Sequence, residues 1–540
     1  MPPTGRVSAA PALVVLSRRD ALRQLGALFA LPLMRWPARL ANPLAGSIIE
    51  YQAGRARGDW SAVEVTRLAI EHCRAWNGTL RAFDRISPLA MDEARASDAR
   101  ARHHALRGPL DGVPLFAKAI YDMQGLPTTA SNAQWASLFP EVLHRDSLEV
   151  RRMRAAGAVV LGKTAADDFA YHGNGTSSLS GQVRNPYDPT GVKTPGGSSA
   201  GSAVSVACGV AFAALGTDDG GSNRIPAQFC GVVGMKPTFG LVPRTGVIPT
   251  WPYLDTHGPL ARNVADAALL LDAIAGPDPS DGLALVAPWR RGGLAGLRDD
   301  ALAGARLGLV EANVPRSQMS GESIAIFDRA VADLTAAGAI VNVSSPAVTR
   351  LTMRNLFMEA AKARGDVAPD PNSPAATANA LLRYCRTHGG DARREVERGL
   401  AAYRAFYDVL PKTWPEMAAL IDQPYERDPA GVSFARSRAT VTEQLAATFR
   451  AERLDAMIYP TMPFPATRVV DSWPNVRTTL GYGNWLGLPE VSVPGGIGAD
   501  GMPGGNISFV GLPGSDARML ALAHSYERHS RRFVAPATPR

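Results

Sequence analysis

Residues 195–227 place two glycine- and serine-rich stretches on either side of one short helix and one strand. Residues 195–202 lead into a predicted Ala/Ser helix over 203–208, and a predicted strand over 210–215 precedes residues 216–227. Glycines beside a serine leave backbone N–H groups unobstructed, which an oxyanion hole requires. The same composition is typical of two ordinary tight turns. Composition by itself leaves both interpretations open, but either one confines the segment to a closely packed helix–strand unit.

The rest of the chain alternates between strand-like and helical patterns. Residues 47–105 and 315–450 are mainly helical by period, Ser61 and Glu64 are spaced as a capping box, and residues 366–374 form a predicted exposed loop. Short apolar runs bounded by Gly and Pro predict buried strands at residues 113–117, 158–161, 210–215, 456–459 and 490–493. This alternation indicates an α/β fold around a largely buried sheet in one large domain.

Charge and composition exclude several classes of protein. The chain has 540 residues with 46% apolar and 20% charged side chains, as expected for a globular protein. The net charge of +8 is concentrated in residues 1–45, where six arginines and one aspartate give +5; the remainder has 51 basic and 48 acidic residues. Without a dense basic patch, nucleic-acid binding is not expected. Four cysteines and nine histidines show no metal-ligand spacing, so we expect no metal site.

The first 45 residues are predicted to be an export signal. Arg18 and Arg19 precede the uncharged, mostly apolar residues 25–34, and small residues follow at Ala41 and Ala45. A paired arginine before a short apolar stretch resembles a twin-arginine signal. The alternative is an N-terminal helix docked on the domain. The first interpretation predicts a periplasmic or secreted protein, and the second a cytoplasmic one. Residues 194–217 are also uncharged, but their Gly/Ser content predicts a helix and a strand, and no stable membrane span is expected.

Two short motifs match well-known patterns without the required context. Residues 157–164 fit GxxxxGK[ST], but a helix precedes the first glycine and the intervening residues are an apolar strand run. We therefore interpret Gly157 as ending a helix. Residues 197–201 fit GxSxG, but no strand precedes them, as a nucleophile elbow requires.

Several segments together resemble the amidase signature family. The central match is residues 196–240, which include Gly-Thr-Asp-Asp-Gly-Gly-Ser at 216–222. The other matching segments are residues 108–118, 125–131, 156–163, 184–187, 459–461 and 487–494. The resemblance spans roughly residues 47–530. It implies a large central mixed β-sheet sandwiched between α-helices in a domain over 46–535, with a catalytic core at about 105–260, a helical excursion at about 315–450 and a C-terminal sheet segment at about 455–530.

The resemblance also implies a catalytic triad. When each segment is matched to the corresponding family motif, Ser222 takes the position of the nucleophile, Ser198 that of the serine after a cis peptide, and Lys118 that of the base. The physical case agrees, because a serine needs a base and a lysine serves as one only when burial lowers its pKa. Lys118 follows the apolar residues 113–117. The implied oxyanion donors are the backbone N–H groups of Asp219, Gly220, Gly221 and Ser222. The residues expected to support them are Ser199, Asp218 and Arg224.

Departures from the family pattern bear on substrate choice. Ala119, Ala165 and Ala200 replace residues that are frequent in the family, and none belongs to the triad. Asn223 stands where an aliphatic residue is common, and it either affects substrate choice or hydrogen-bonds locally. The candidate substrate-binding residues are Asn223, Tyr121, Met123 and Tyr171.

Three functions are compatible with these residues. The first is an amidase that hydrolyses a carboxylic amide to acid and amine or ammonia through an acyl-enzyme, with esters or carbamates as possible further substrates. The second is a glutaminase-type subunit of a tRNA-dependent amidotransferase, and the third is an inactive binding protein on the same scaffold. The first predicts a small-molecule amide as the partner, no cofactor, and a monomer or homodimer.

Overall fold

The apolar runs that the sequence assigns to strands all belong to one large sheet. The computed structural model describes residues 42–284, 293–470 and 480–537. Its strands are β1 (Phe83–Ile86), β2 (Pro114–Lys118), β3 (Val159–Thr164), β4 (Thr176–Ser177), β5 (Gly181–Gln182), β6 (Ala213–Thr217), β7 (Val233–Lys236), β8 (His257–Ala261), β9 (Arg306–Leu309), β10 (Ile340–Val343), β11 (Ala456–Pro460), β12 (Glu490–Ile497) and β13 (Pro503–Val510).

Helices precede, interrupt and follow these strands. They are α1 (Ile48–Arg57), α2 (Ala62–Leu80), α3 (Ala90–Arg102), α4 (Ala133–Leu138), α5 (Leu148–Ala155), α6 (Ala200–Ala207), α7 (Arg224–Phe229), α8 (Val264–Ile274), α9 (Gly321–Ala336), α10 (Met353–Arg364), α11 (Pro374–Arg386), α12 (Ala392–Arg404), α13 (Trp414–Ile421), α14 (Pro429–Glu452), α15 (Leu480–Leu486) and α16 (Asp516–Ser530). The capping box predicted from Ser61 and Glu64 begins α2.

The sheet is mixed and has the order β1-β3-β2-β6-β8-β7-β12-β13-β11-β9-β10. β2 runs parallel to both β3 and β6, whereas β8 runs antiparallel to β6 and β7. Every residue of β2, β3, β6, β7, β8, β11 and β13 is buried. Strands buried on both faces carry continuous apolar runs, which is the pattern that the sequence shows. The predicted α/β fold with a large mixed sheet is confirmed.

Individual strands differ from the prediction, and β7, β8, β9 and β13 lie outside the predicted apolar runs. The run at 210–215 forms its strand later, at Ala213–Thr217, because residues 209–212 turn out of α6 before the strand begins. β1 lies inside the segment interpreted as helical, and β10 lies inside the 315–450 segment. Both have only four residues and occupy the two outer positions of the sheet. β1 reads Phe-Asp-Arg-Ile and β10 reads Ile-Val-Asn-Val, so polar residues interrupt the apolar residues of both strands.

The segment that fits the phosphate-loop pattern is a strand. α5 ends at Ala155, Gly157 has φ +86° in the left-handed region, and β3 begins two residues later. Lys163 lies inside β3, and its Nζ donates to Pro127 O at 2.7 Å and to Thr128 Oγ1 at 2.9 Å. Gly157 therefore ends a helix, as predicted from its sequence context.

The predicted export signal lies almost wholly outside the described residues, and it stays a prediction. The structure begins with Asn42 and a 3₁₀-helix at Pro43–Ala45, in which Leu44 is completely buried in the main core. Cleavage of the predicted signal after Ala41 would leave Leu44 in the core, whereas cleavage after Ala45 would remove Leu44 from the protein. None of the helices in the described ranges has the length and apolar character that a membrane crossing requires.

A charged cluster connects α11 and α12 to the strand that ends in Lys118. His388 lies between these helices; its Nε2 is 3.2 Å from Asp122 Oδ2, and its Nδ1 is hydrogen-bonded to Glu395. Asp122 also accepts from the Tyr384 hydroxyl at 2.9 Å. Burial disfavours the charged imidazole, but the two carboxyl partners outweigh burial and raise the pKa of His388 to about 9.

This cluster predicts a pH-dependent contribution to stability. The raised pKa means that the contribution is full below pH 6.5 and is lost as the pH rises through about 9. We expect His388→Gln to cost about 2–3 kcal/mol at pH 6 and much less at pH 9.5. Melting temperatures of both proteins across this range measure the difference. His144→Gln, at an exposed position, is the control; an equal loss at both pH values in His388→Gln would contradict the prediction.

Candidate active site

Lys118 lies at the end of β2 and contacts two hydroxyl groups. Its Nζ is 2.7 Å from Ser198 Oγ and 2.8 Å from Thr217 Oγ1. Thr217 ends β6, which is the parallel neighbour of β2, so the carboxyl ends of both strands lie at the same edge of the sheet. Ser198 comes from the loop that precedes α6. The fold thus brings together residues that lie 80 and 99 positions apart.

Burial governs the protonation of Lys118. The side chain has no exposed surface, and desolvation lowers its pKa to about 8 despite the opposing effect of nearby Asp219, Asp167 and Asp218. A neutral amine has two N–H groups and one lone pair. It can therefore donate to Thr217 Oγ1 while it accepts the hydroxyl proton of Ser198. Thr217 was not predicted as part of the site, although it belongs to the Gly-Thr-Asp-Asp motif.

Ser198 follows a cis peptide bond and is held by Asp167. The Gly197–Ser198 bond is cis, the geometry that the resemblance implies for this position. The Asp167 N–H donates to Ser198 O at 3.2 Å, and a Cβ at Gly197 would lie 2.2 Å from Asp167 Oδ2. Glycine is therefore required at 197 by this close approach. Burial raises the pKa of Asp167 to about 7. Nothing in the sequence singled out Asp167, because it lies far from Ser198 along the chain and outside the glycine-rich motifs.

The loop that carries Ser222 is organised by Asp218. The Asp218 carboxylate accepts the Gly221 N–H at 2.7 Å and the Asn223 N–H at 3.2 Å. Gly221 has φ +124°, which favours glycine. Of the four predicted oxyanion donors, Gly221 is thus engaged with Asp218, so the expectation for this residue differs from the structure. The N–H groups of Asp219, Gly220 and Ser222 remain as candidate donors.

Residues 216–223 are buried except for Gly220, which is partly exposed. Ser222 is 7% exposed, and its carbonyl oxygen accepts from the Ser199 N–H at 3.2 Å, which ties the two serine-bearing loops together. Gly220 is partly exposed, and a Cβ built there would meet no atom within 4 Å. By contrast, a Cβ at Gly216 would lie 2.2 Å from Asn223 Oδ1. The space beside Ser222 is therefore open at Gly220 and filled at Gly216.

A buried ion network anchors this loop to the C-terminal strands. Arg224 donates Nε and Nη2 to Asp218, both at 2.9 Å, and Nη1 to Glu490 Oε2 at 2.7 Å. Asn484 accepts from Arg224 at 2.7 Å and donates to the Asp218 carbonyl oxygen at 2.8 Å. Burial alone would raise the pKa of Asp218, but Arg224 lowers it to about 2. Glu490 and Asn484 were not predicted; a buried arginine with one carboxylate nearby is a signal that a second partner exists.

Ser199 and Asn223 contact each other beside the loop that carries Ser222. Ser199 Oγ lies 3.2 Å from both Thr217 O and Asn223 Oδ1. Asn223 Nδ2 donates to Met235 O at 3.0 Å, and the residue has no exposed surface. Of the two alternatives for Asn223, the contacts favour local hydrogen bonding over substrate contact.

The other candidate substrate-binding residues differ in exposure. Tyr121 and Met123 are completely buried, and the Tyr121 hydroxyl donates to Gly216 O at 2.9 Å. Tyr171 is partly exposed and lies edge-on to Trp251 and Phe406, with ring centroids 6.2 Å apart in both pairs. Of these three, Tyr171 is the one with surface that a ligand can reach. No group of metal-ligating side chains occurs in the parts of the chain that the structure describes.

Comparison with known proteins identifies the class. A family model described as Amidase matches residues 64–520. A glutamyl-tRNA(Gln) amidotransferase subunit from Salinispora arenicola is 35% identical over 503 residues, which cover 89% of this chain and 96% of the relative. The native peptide amidase from Stenotrophomonas maltophilia superposes with a TM-score of 0.74 at 30% identity, covering 91% and 98% of the two chains.

A further solved structure shares the fold. The corresponding glutamyl-tRNA(Gln) amidotransferase subunit from Thermotoga maritima gives a TM-score of 0.63 at 23% identity over 89% of this chain and 95% of that one. The fold and the family match together define an enzyme scaffold for chemistry at C–N bonds. The chain belongs to the amidase signature family.

Proposed function

We propose that this chain hydrolyses a carboxylic amide to an acid and an amine or ammonia. The observation that supports it most is the contact between the buried Lys118 amine and Ser198 Oγ at 2.7 Å. Lys118, with a pKa of about 8, is neutral in about one molecule in ten at pH 7 and in most molecules above pH 8. A neutral amine in this position can accept a proton.

The proposed reaction moves one proton along the triad and back. Lys118 takes the proton of Ser198, Ser198 takes that of Ser222, and Ser222 Oγ attacks the amide carbon to form a tetrahedral intermediate. The backbone N–H groups of Asp219, Gly220 and Ser222 donate to the oxyanion. As the C–N bond breaks, Ser198 donates its proton to the leaving nitrogen, and protonated Lys118 returns a proton to Ser198. Water then attacks the acyl-enzyme by the same route and releases the acid.

The relatives support a second candidate, the glutaminase-type subunit of an amidotransferase. The match between this chain and the Salinispora arenicola amidotransferase subunit covers 96% of that subunit's length. The peptide amidase structure supports hydrolysis of free amides. Partly exposed Tyr171, Trp251 and Phe406 offer an aromatic surface for an apolar substituent.

A substrate panel separates the two candidates. We would measure ammonia or amine release by residues 42–540 from glutamine, peptide amides and aryl amides, with Ser222→Ala as the blank. Hydrolysis of peptide or aryl amides well above that of glutamine supports the free-amide function. Hydrolysis confined to glutamine favours the amidotransferase function, and no release from any amide would contradict the proposal.

A further inference from the structure

A buried glutamate and a buried histidine form a pair that the proposed reaction does not use. Glu149 lies in the first turn of α5 and His257 begins β8; neither is more than 3% exposed. His257 Nδ1 lies 2.6 Å from Glu149 Oε1. The other oxygen of Glu149 is buried and has no hydrogen-bond partner among the described residues. A buried polar pair with one unsatisfied oxygen contributes little to stability, so stability alone does not account for it.

The imidazole of this pair is the cross-strand neighbour of the threonine that contacts the Lys118 amine. His257 is paired with Thr217 in the antiparallel register of β6 and β8. Directly paired residues of antiparallel strands point to the same face of the sheet, with Cβ atoms about 4.5–5.5 Å apart. Thr217 Oγ1 accepts from Lys118 Nζ at 2.8 Å. The side chain of His257 therefore lies beside the side chain whose hydroxyl group orients the amine.

Two further contacts connect the pair to the same site. The Tyr121 ring lies edge-on to the imidazole of His257, with ring centroids 5.4 Å apart, and the Tyr121 hydroxyl donates to Gly216 O at 2.9 Å. The residue before the histidine, Thr256, accepts the Asp218 N–H at 2.7 Å. The imidazole therefore lies between the turn after β2 and the end of β6, which are the two segments whose side chains meet at the amine.

We propose that Glu149 and His257 are positioning residues for the proton transfer at Lys118. Glu149 holds the imidazole in one orientation, and the imidazole holds Thr217 in the rotamer that keeps the amine directed at Ser198. This inference rests on the proposed function, because it assigns the pair a role in that reaction. Without the pair, the Thr217 side chain gains rotamer freedom, and the amine spends less time within hydrogen-bond distance of Ser198. Because neither residue of the pair acts on the substrate, its loss should lower kcat and leave KM nearly unchanged.

The first test separates the orientation of the imidazole from the charge beside it. Glu149→Met replaces the carboxyl group by an apolar side chain of similar size, and we expect kcat to fall about tenfold or more with KM within about twofold. Glu149→Gln keeps a hydrogen bond to Nδ1, whichever group donates, and should recover most of that rate. The matched control is Glu527→Met, which removes a carboxyl group that accepts the Val264 N–H at 3.0 Å and should keep the wild-type kcat. An equally low kcat in Glu149→Gln, or an unchanged kcat in Glu149→Met, would overturn the proposal.

The second test is a double-mutant cycle with Thr217→Val, which removes the hydroxyl group and keeps the shape of the side chain. Thr217→Val alone should lower kcat about tenfold or more. If the pair acts through Thr217, adding Glu149→Met to Thr217→Val should lower kcat by less than about twofold further. Losses that multiply, as they do for independent sites, would overturn the proposal. If Glu149→Met does not fold, His257→Phe takes its place in the cycle, because it removes Nδ1 and keeps a ring beside Tyr121.

A chemical readout distinguishes this inference from the proposed function. Phenylmethanesulfonyl fluoride labels a serine whose hydroxyl group is activated, and intact mass measures the rate without an amide substrate, with Ser222→Ala as the blank. The labelling rate should follow the order expected for kcat: wild type, then Glu149→Gln, then Glu149→Met. Absence of amide hydrolysis would contradict the proposed function, and the labelling order would still decide the inference. A wild type that neither hydrolyses an amide nor is labelled at Ser222 would contradict both.

Discussion

We expect Ser222→Ala to reduce kcat by about 10⁴-fold or more while the protein keeps its melting temperature within a few degrees. The substitution removes the proposed nucleophile, for which no other hydroxyl in the loop substitutes: Ser198 is occupied by Lys118, and Ser199 contacts Thr217 and Asn223. The effect on folding is small because Ser222 contacts Ser199 through its backbone carbonyl, which alanine retains. Initial rates on the best substrate of the panel measure the loss.

A matched control is available on the helix that follows Ser198. Ser205 lies on α6, is almost completely buried, and its hydroxyl donates to Ser202 O at 2.8 Å. Ser205→Ala removes a buried serine hydroxyl from the same helix–strand unit without touching the triad, so its rate should stay within a fewfold of the wild type. If Ser222→Ala retained a comparable rate, Ser222 would not be the nucleophile.

The parts of the site that lie in continuous motifs could be predicted from the sequence. Lys118, Ser198 and Ser222 come from glycine-rich segments whose resemblance to the amidase signature family is specific, and the structure brings Lys118 onto Ser198. The buried strands that position them were recognisable from apolar runs. The start of β6 was misplaced because Val210 and Phe212 are apolar and buried while still in the turn before the strand.

The supporting residues could not be predicted because they meet through the tertiary fold. Glu490 lies 266 positions from Arg224, and its acidic side chain is buried on β12, where strand patterns favour apolar residues. Asp255 is one acid among many until the fold directs the N–H groups of Thr250 and Trp251 at its carboxylate. The backbone N–H of Gly221 illustrates the same limit, because the motif suggests a free donor and the fold engages it with Asp218.

The second large effect is expected for Lys118→Met, which should lower kcat/KM by at least about 10³-fold. The substitution should also remove the acid limb of the pH profile, which is the rise of kcat/KM with pH near pH 8. In the wild type, activity should rise as the pH rises through about 8, because the amine accepts a proton only when it is neutral. The triad acts as a unit, so the double variant with Ser222→Ala should be no slower than Ser222→Ala alone. Rates of all three proteins between about pH 6 and pH 10 check this expectation.

Lys163→Met is the control that decides which lysine is responsible. Lys163 lies on β3 beside Ala117 of β2, is completely buried, and burial lowers its pKa to about 8 as well. Its Nζ donates to Pro127 O and Thr128 Oγ1 and to neither serine. An acid limb near pH 8 should therefore persist in Lys163→Met. Burial lowers the pKa of Lys118 to about 8, so keeping the amine protonated in the folded protein costs stability at pH 7. Lys118→Met removes this cost and should melt no lower than the wild type at about pH 7. If its activity loss came with a lower melting temperature, or if the acid limb followed Lys163, proton transfer through Lys118 would be the wrong mechanism.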